Sequence, residues 1–168
     1  MTIKYPIRDS VRIILLNDKN ELLLMCIDDP RTKLIGEEYR GRFWVMIGGG
    51  IEENETIGEA AFREILEETE INKNEVKLGP VVWLRELDLI LYGKAAHIKE
   101  KYIVAITQKN KITSTNLTKD EIGIVKKIKW FSLSQIIAFK ETIYPVSLTK
   151  HLPNILSKNY PDPPIIIE

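Results

Sequence analysis

Apolar residues along the chain gather in short dense runs, separated by polar segments rich in turn-forming residues. Ser10–Leu16 (SVRIILL) is β-branched and passes through the turn NDKNE into Glu21–Ile27 (ELLLMCI), which predicts a hairpin. Residues 28–41, polar and carrying Pro30, Gly36 and Gly41, predict a loop. Phe43–Ile47 (FWVMI) predicts a short buried strand that stops at Gly48-Gly49-Gly50, where a tight backbone turn is expected. Thr56-Ile57-Gly58-Glu59 has the form of a capping box and predicts a helix from Ile57 to about Thr69. Val76–Tyr92 and His97–Thr107 predict two strands joined near Gly93, and Lys126–Phe131 predicts another. Ser132 or Ser134 can cap a helix through about Lys140. Leu148, Leu152, Ile155 and Leu156 predict a last helix that Pro153 interrupts, and the tail YPDPPIIIE is expected to be extended. Strands and helices mix without strict β-α-β alternation, so the fold class is α/β, a mixed sheet covered by helices.

The helix predicted over 57–69 has an unusual charge pattern. Glu64, Glu67 and Glu68 stand at i, i+3 and i+4. At about 100° per residue from Glu64, Glu68 falls near 40° and Glu67 near −60°. Ala60 and Ala61 lie on the same side, whereas Phe62, Ile65, Leu66 and Thr69 form the face expected to pack on the sheet. An apolar back and an open anionic front follow. Like charges at these spacings, placed where the helix dipole disfavours them, cost together about one or two kcal/mol. That is large beside a net stability of about 5–15 kcal/mol. A hard divalent cation such as Mg²⁺ or Mn²⁺ would remove the cost, because it takes carboxylate oxygens. A glycine turn just upstream would let a diphosphate lie between metal and backbone.

Composition narrows the field. Lys and Arg together number 24 and Asp and Glu 24, so the net charge is zero and no long-range field recruits nucleic acid or an anionic membrane. The balance hides a local asymmetry: residues 52–70 hold eight Glu against one Arg. No apolar run approaches the ~20 residues of a membrane span, and the polar start MTIKYPIRDS is unlike a signal peptide. The single cysteine, Cys26, sits in an apolar run and reads as a buried, inert thiol in a reducing compartment, so a cytoplasmic location is expected.

Gly49, five residues, Glu55, seven residues, then Arg63-Glu64-Ile65-Leu66-Glu67-Glu68-Thr69-x-Ile71 resembles the Nudix box. The preceding hairpin and Trp130-Phe131 with its following helix are also similar to Nudix hydrolases. The resemblance implies one Nudix hydrolase domain over residues 1–168, an α/β/α sandwich with a mixed sheet and a catalytic loop–helix–loop. It implies hydrolysis of a nucleoside diphosphate linked to another moiety, with Mg²⁺ or Mn²⁺, on a small-molecule nucleotide substrate. The chain would act as a monomer or homodimer. Glu67 and Glu68 would be metal ligands, Glu64 a further ligand or the general base, and the carbonyl of Gly48 a possible ligand. Arg63, able to reach Glu59 or Glu67, would orient carboxylates; Gly48, Gly49 and Gly50 would bind substrate; Glu55 would support the loop. A further Glu from a later loop is expected, Glu121 first and Glu100 behind it. Two positions depart from the family pattern: Ile47 replaces a Pro, and Glu70 replaces a Gly. A non-Gly residue in a left-handed conformation is strained, so the helix is expected to run on to Asn72 or Asn74.

Substrate motifs of the family are missing by position. Leu87, Asp88 and Leu89 stand where dinucleoside polyphosphate hydrolases carry Tyr, with Tyr92 slightly beyond, and Glu86 stands where ADP-ribose hydrolases carry Pro. Elimination favours a nucleoside or deoxynucleoside triphosphate, then a nucleotide sugar or ADP-ribose. Trp44, Trp83, Trp130 and Phe43 read as core residues before base-stacking ones, and His97 and His151 as satisfied or surface residues. A non-catalytic nucleotide sensor would have lost a box carboxylate, and an isopentenyl diphosphate isomerase would need a pocket Cys; neither feature is found.

Overall fold

The computed structural model describes residues 2–113 and 117–168. Its centre is β1 (Ile7–Leu16), flanked antiparallel by β2 (Leu22–Ile27) and parallel by β7 (Lys94–Thr107). β6 (Val76–Leu91) pairs antiparallel with β7 and carries two short strands, β3 (Lys33–Leu34) and β9 (Ile165–Ile166). On the other side, β4 (Phe43–Met46) and β8 (Val125–Phe131) both pair antiparallel with β2. The sheet is therefore mixed. Tyr92 and Gly93, both at positive φ, make the two-residue turn from β6 to β7.

Helices cover both faces of this sheet, and the strand sequences show why. Val11, Ile13 and Leu15 of β1 join Leu23, Met25 and Ile27 of β2 in an apolar cluster with Ala60, Ala61 and Ile65 of α1 (Ile57–Thr69). Ile14, Leu16, Leu22, Leu24 and Cys26 point the other way. They pack with Ile136 of α2 (Leu133–Ala138) and with Leu148, Leu152 and Ile155 of α3 (Leu148–Leu156). Strands buried on both faces read as continuous apolar runs, which is why SVRIILL and ELLLMCI show no alternation. Trp44 and Trp83 are core residues at 3% and 1% exposure, and no helix is long and apolar enough to cross a membrane among the described residues.

Several expectations are corrected. The triglycine is not a turn but β5 (Gly48–Gly50), antiparallel to β1, with Gly48 opposite Arg12 and Gly50 opposite Ser10. Close approach, and not turn geometry, demands glycine here. A Cβ on Gly48, which sits at φ 143, would collide with the Val11 carbonyl, and one on Gly49 with the Glu64 carboxylate. The predicted loop at 28–41 contains β3. The last helix runs through Pro153 without a break.

The capping box forms as predicted: Glu59 N–H donates to Thr56 Oγ1 at 3.2 Å, and Thr56 N–H to Glu59 Oε2 at 2.7 Å. The helix that follows is turned differently from the hydrophobic pattern. Its buried residues are Ala60, Ala61, Glu64, Ile65, Glu68 and Thr69, whereas Leu66 is 42% exposed. The buried arc centres on Ala61 and Glu68, so the anionic front is not open. Two alanines let the helix backbone lie close to the sheet, and Phe62 shelters at the flank, its ring 5.0 Å from Lys73 Nζ.

The helix does not continue to Asn72 or Asn74. Glu70 ends it in the left-handed conformation at φ 59, its N–H donating to the Leu66 carbonyl at 2.9 Å. Burial of Ile71 at 3% exposure explains the stop, because only a reversal at Glu70 returns that side chain to the core. Thr69 Oγ1 fastens the bend, donating to the Ile65 carbonyl at 2.6 Å and accepting from Ile71 N–H at 3.1 Å.

Candidate active site

Three elements converge at the buried side of α1. β5 brings backbone amides, α1 brings carboxylates, and the turn before β8 brings Glu121. Arg63 organises the first two. Its Nε and Nη2 donate to Glu55 Oε2 and Oε1, both at 2.8 Å, its Nη2 to the Gly50 carbonyl at 2.9 Å, and its Nη1 to Glu64 Oε1 at 2.7 Å. This paired grip lowers the Glu55 carboxyl to about 2. Glu55 also accepts from Glu52 N–H at 3.0 Å, so the loop entering α1 is tied to the helix it precedes. Arg63 does not bond Glu59, which is engaged in the capping box; Glu67 is its longer-range neighbour at 3.5 Å.

Glu68 is the most buried of the acids, at 0% exposure. One oxygen, Oε2, accepts from Gly48 N–H at 2.9 Å. The other, Oε1, is buried with no hydrogen-bond partner among the described residues. Burial first, then the nearby Glu64 and Glu121 carboxylates, push the Glu68 carboxyl well above the ordinary range. Burial also raises Glu64, against the pull of Arg63.

Glu121 is buried at 8% exposure rather than lying on the surface, and Thr118 holds its Oε2 through N–H at 2.7 Å and Oγ1 at 2.9 Å. One oxygen from each of Glu64, Glu68 and Glu121 lies within 4.8 Å of the others. Glu67 is outside this group, about one-third exposed beside Arg63. Three converging carboxylates, one with an oxygen that no described residue donates to, fit a hard divalent cation.

Glu100 takes no part in the cluster. Its Oε1 accepts from Arg12 Nε at 2.9 Å, and its Oε2 from Tyr102 Oη at 2.7 Å and Arg85 Nη1 at 3.3 Å. Burial opposes its ionisation, but the two arginines and Tyr102 prevail and hold its carboxyl low. Arg12 was missing from the sequence-derived residues, although a lone arginine inside SVRIILL was a visible signal.

A cleft of about 640 Å³ opens over the acids, lined by Glu64, Glu67, Glu121, Gly48–Gly50, Arg8 and Arg12, with Phe43 and Tyr92 among its apolar walls. Trp130 is instead occupied by the Asn110 carbonyl, to which its Nε1 donates at 2.9 Å. Cys26 is buried and its thiol raised by that burial, in keeping with an inert side chain. His151 packs on Trp83, while His97 lies between Asp88 and Glu86.

A family model described as NUDIX domain matches residues 6–151. Among curated proteins the chain is similar to an RNA pyrophosphohydrolase of Pseudomonas paraeruginosa, 25% identical over 169 residues that cover 90% of this chain and 96% of that protein. Among solved structures it is similar to the dihydroneopterin triphosphate pyrophosphohydrolase of E. coli, with a TM-score of 0.61 at 18% identity, covering 91% of this chain and 99% of that one. It is likewise similar to a MutT protein from Methanosarcina mazei, with a TM-score of 0.60 at 18% identity, covering 94% of this chain and 99% of that one. At these identities the two structures speak to the fold, the mixed α/β sandwich described above.

Proposed function

The chain belongs to the NUDIX family, and on that premise we propose that it hydrolyses the pyrophosphate bond of a nucleoside diphosphate linked to another moiety. Mg²⁺ is the proposed cofactor, with Mn²⁺ as its substitute. A nucleoside or deoxynucleoside triphosphate is the first substrate to test, then nucleotide sugars and ADP-ribose. The observation that carries this reading is the buried Glu64–Glu68–Glu121 cluster with its donorless Glu68 oxygen.

Glu64, Glu68 and Glu121 would hold the cation, with Glu67 and the Gly48 carbonyl as further ligands at the cleft side. When bound, such a cation neutralises phosphate charge and lowers the pKa of a coordinated water. The remaining work falls to the chain. Gly48 N–H fixes the orientation of Glu68 from one side, and Thr118 fixes Glu121 from another. Arg63 positions Glu64 through Oε1, which leaves Oε2 either to the cation or, with Glu64 as general base, to the proton of the attacking water. The glycine strand supplies a surface with no side chains on which a phosphate can lie.

The test is turnover of nucleoside triphosphates, nucleotide sugars, ADP-ribose and dinucleoside polyphosphates with Mg²⁺ and with Mn²⁺, alongside Glu68→Gln. The expected result is metal-dependent hydrolysis of at least one class, lost roughly 10³-fold in the variant. No hydrolysis across the panel would favour the sensor reading; normal turnover by Glu68→Gln would overturn the site.

A further inference from the structure

Outside the acid cluster, the molecule holds a second charged group for which the hydrolytic site has no use. Arg12, Arg85 and Glu100 form a part-buried triad of two guanidinium groups on one carboxylate, with side-chain exposures of 22%, 13% and 5%. Tyr102 adds a neutral donor to the same carboxylate. The triad therefore carries a net positive charge in a place where an uncompensated charge is costly. An anion would complete it.

Geometry says where that anion comes from. A second cleft of about 320 Å³ is lined by Arg12, Arg85 and Glu100 together with Tyr39, Phe43 and Tyr144. Arg12 also lines the cleft over the acids, and among the described residues it is the only charged side chain shared by the two linings. Its Nε is spent on Glu100 and its Nη1 reaches the Met46 carbonyl only at 3.4 Å, while Nη2 has no acceptor among the described residues. Glu100 thus turns the guanidinium and leaves its outer edge for a ligand. Beyond Arg12 the lining combines the Phe43 and Tyr144 rings, edge to face at 5.6 Å, with a mixed set of charges, Lys33, Arg40 and Arg42 against Glu37 and Glu38.

We infer that Arg12, backed by Arg85 and positioned by Glu100, is a second anion subsite. It takes the phosphoryl group of the substrate that carries the organic moiety, and that moiety lies in the second cleft, against Phe43 and Tyr144. The inference rests on the hydrolase reading and assigns the substrate's direction: acids and cation at one phosphoryl, Arg12 at the next. A guanidinium suits this role because its planar fork grips two phosphate oxygens at once, which an ammonium does not.

Binding of α,β-methylene-ADP, which cannot be hydrolysed, tests the subsite by calorimetry with and without Mg²⁺, independently of turnover. The expected result is binding to the wild-type chain that weakens roughly 10- to 100-fold in Arg12→Gln and less in Arg12→Lys. Glu100→Gln, which releases Arg12 without removing it, should raise KM for any turned-over substrate while kcat stays within a few-fold. Should Arg12→Gln fail to fold, Arg12→Lys and Arg85→Gln carry the same comparison, made below each variant's own melting temperature. Equal affinity in folded Arg12 and Arg85 variants, or no binding by the wild-type chain at millimolar ligand with Mg²⁺, overturns the subsite. Arg12-dependent binding without hydrolysis of any panel substrate supports the subsite and removes the hydrolase reading. Hydrolysis with a KM untouched by Arg12→Gln does the reverse.

Discussion

Glu68 and Glu100 are both buried carboxylates, at 0% and 5% exposure, and they have opposite surroundings. Glu100 has donors on both oxygens, two of them arginines, and its carboxyl is held low. Glu68 has one backbone donor, a bare second oxygen and two acids for neighbours, and its carboxyl is driven far up. Burial alone therefore says nothing about what an acid is for. Supply of donors does. A buried carboxylate with a full set of donors fixes its partners, as Glu100 fixes Arg12, and one left short has the chemistry of a cation ligand, as proposed for Glu68.

Substituting each acid by its neutral isostere should drive the protein in opposite directions. Glu100→Gln strands two guanidinium groups on an amide, and breaking such a buried pair costs about 3 kcal/mol. For a chain of this size that lowers the melting temperature by roughly 6–12 °C. Glu68→Gln, in contrast, removes the cost of holding an ionisable carboxyl in an interior that disfavours its charge, and should raise the metal-free melting temperature by a few degrees, while turnover collapses. Mg²⁺ sharpens the contrast: at about 100 times its Kd a ligand stabilises by about 2.7 kcal/mol. Thermal melts should show that gain in wild type and Glu100→Gln, and lose it in Glu68→Gln. A Glu68→Gln protein less stable than wild type without metal would show that the two acids do the same job.

Much of this contrast was open to sequence reasoning, and the part that was not has a physical cause. Spacing alone brought Glu64, Glu67 and Glu68 to one arc, and the capping box set the start of α1 at Ile57. What the hydrophobic pattern misplaced was the arc itself. It took Leu66 for the sheet-facing side because apolar residues are assumed to face inward. Here two alanines and two acids hold that position instead. Glu121 joins Glu68 only because the turn at Thr118 delivers it, and no local pattern distinguishes it from a surface acid. Arg12 and Glu100 are 88 residues apart and meet through the parallel register of β1 and β7, which no short-range signal encodes.

A smaller test concerns where else the acid-bearing helix bears a cost. Glu70 occupies a left-handed conformation that disfavours side chains with a Cβ by about 1 kcal/mol. Glu70→Gly should therefore stabilise the chain by up to that amount, a rise of roughly 2–4 °C, with turnover unchanged. A loss of stability would mean that the Glu70 side chain contributes more than its backbone costs. Turnover that fell with it would place Glu70 inside the site rather than beside it.

The smallest effect lies on the ladder that holds Glu100. β6 and β7 pair Arg85 with Glu100 in the interior and Asp88 with His97 near the surface. His97 Nδ1 lies 2.7 Å from Asp88 Oδ1 and its Nε2 2.9 Å from Glu86 Oε2. Hydrogen bonds to Asp88 and then Glu86 raise the His97 pKa above its ordinary value of 6.5. A raised histidine stabilises the fold fully below its unfolded pKa, and that stability is lost as pH rises through the folded one. Melting temperatures of wild type and His97→Gln should thus differ most near pH 6 and converge toward pH 9, the gap being small because the carboxylates are solvated. Glu100 titrates far below this window, so the deficit of Glu100→Gln should stay constant across the same range. A His97 gap that also held constant would mean that the imidazole acts by packing alone. The two cross-strand contacts would then differ only in depth and not in kind.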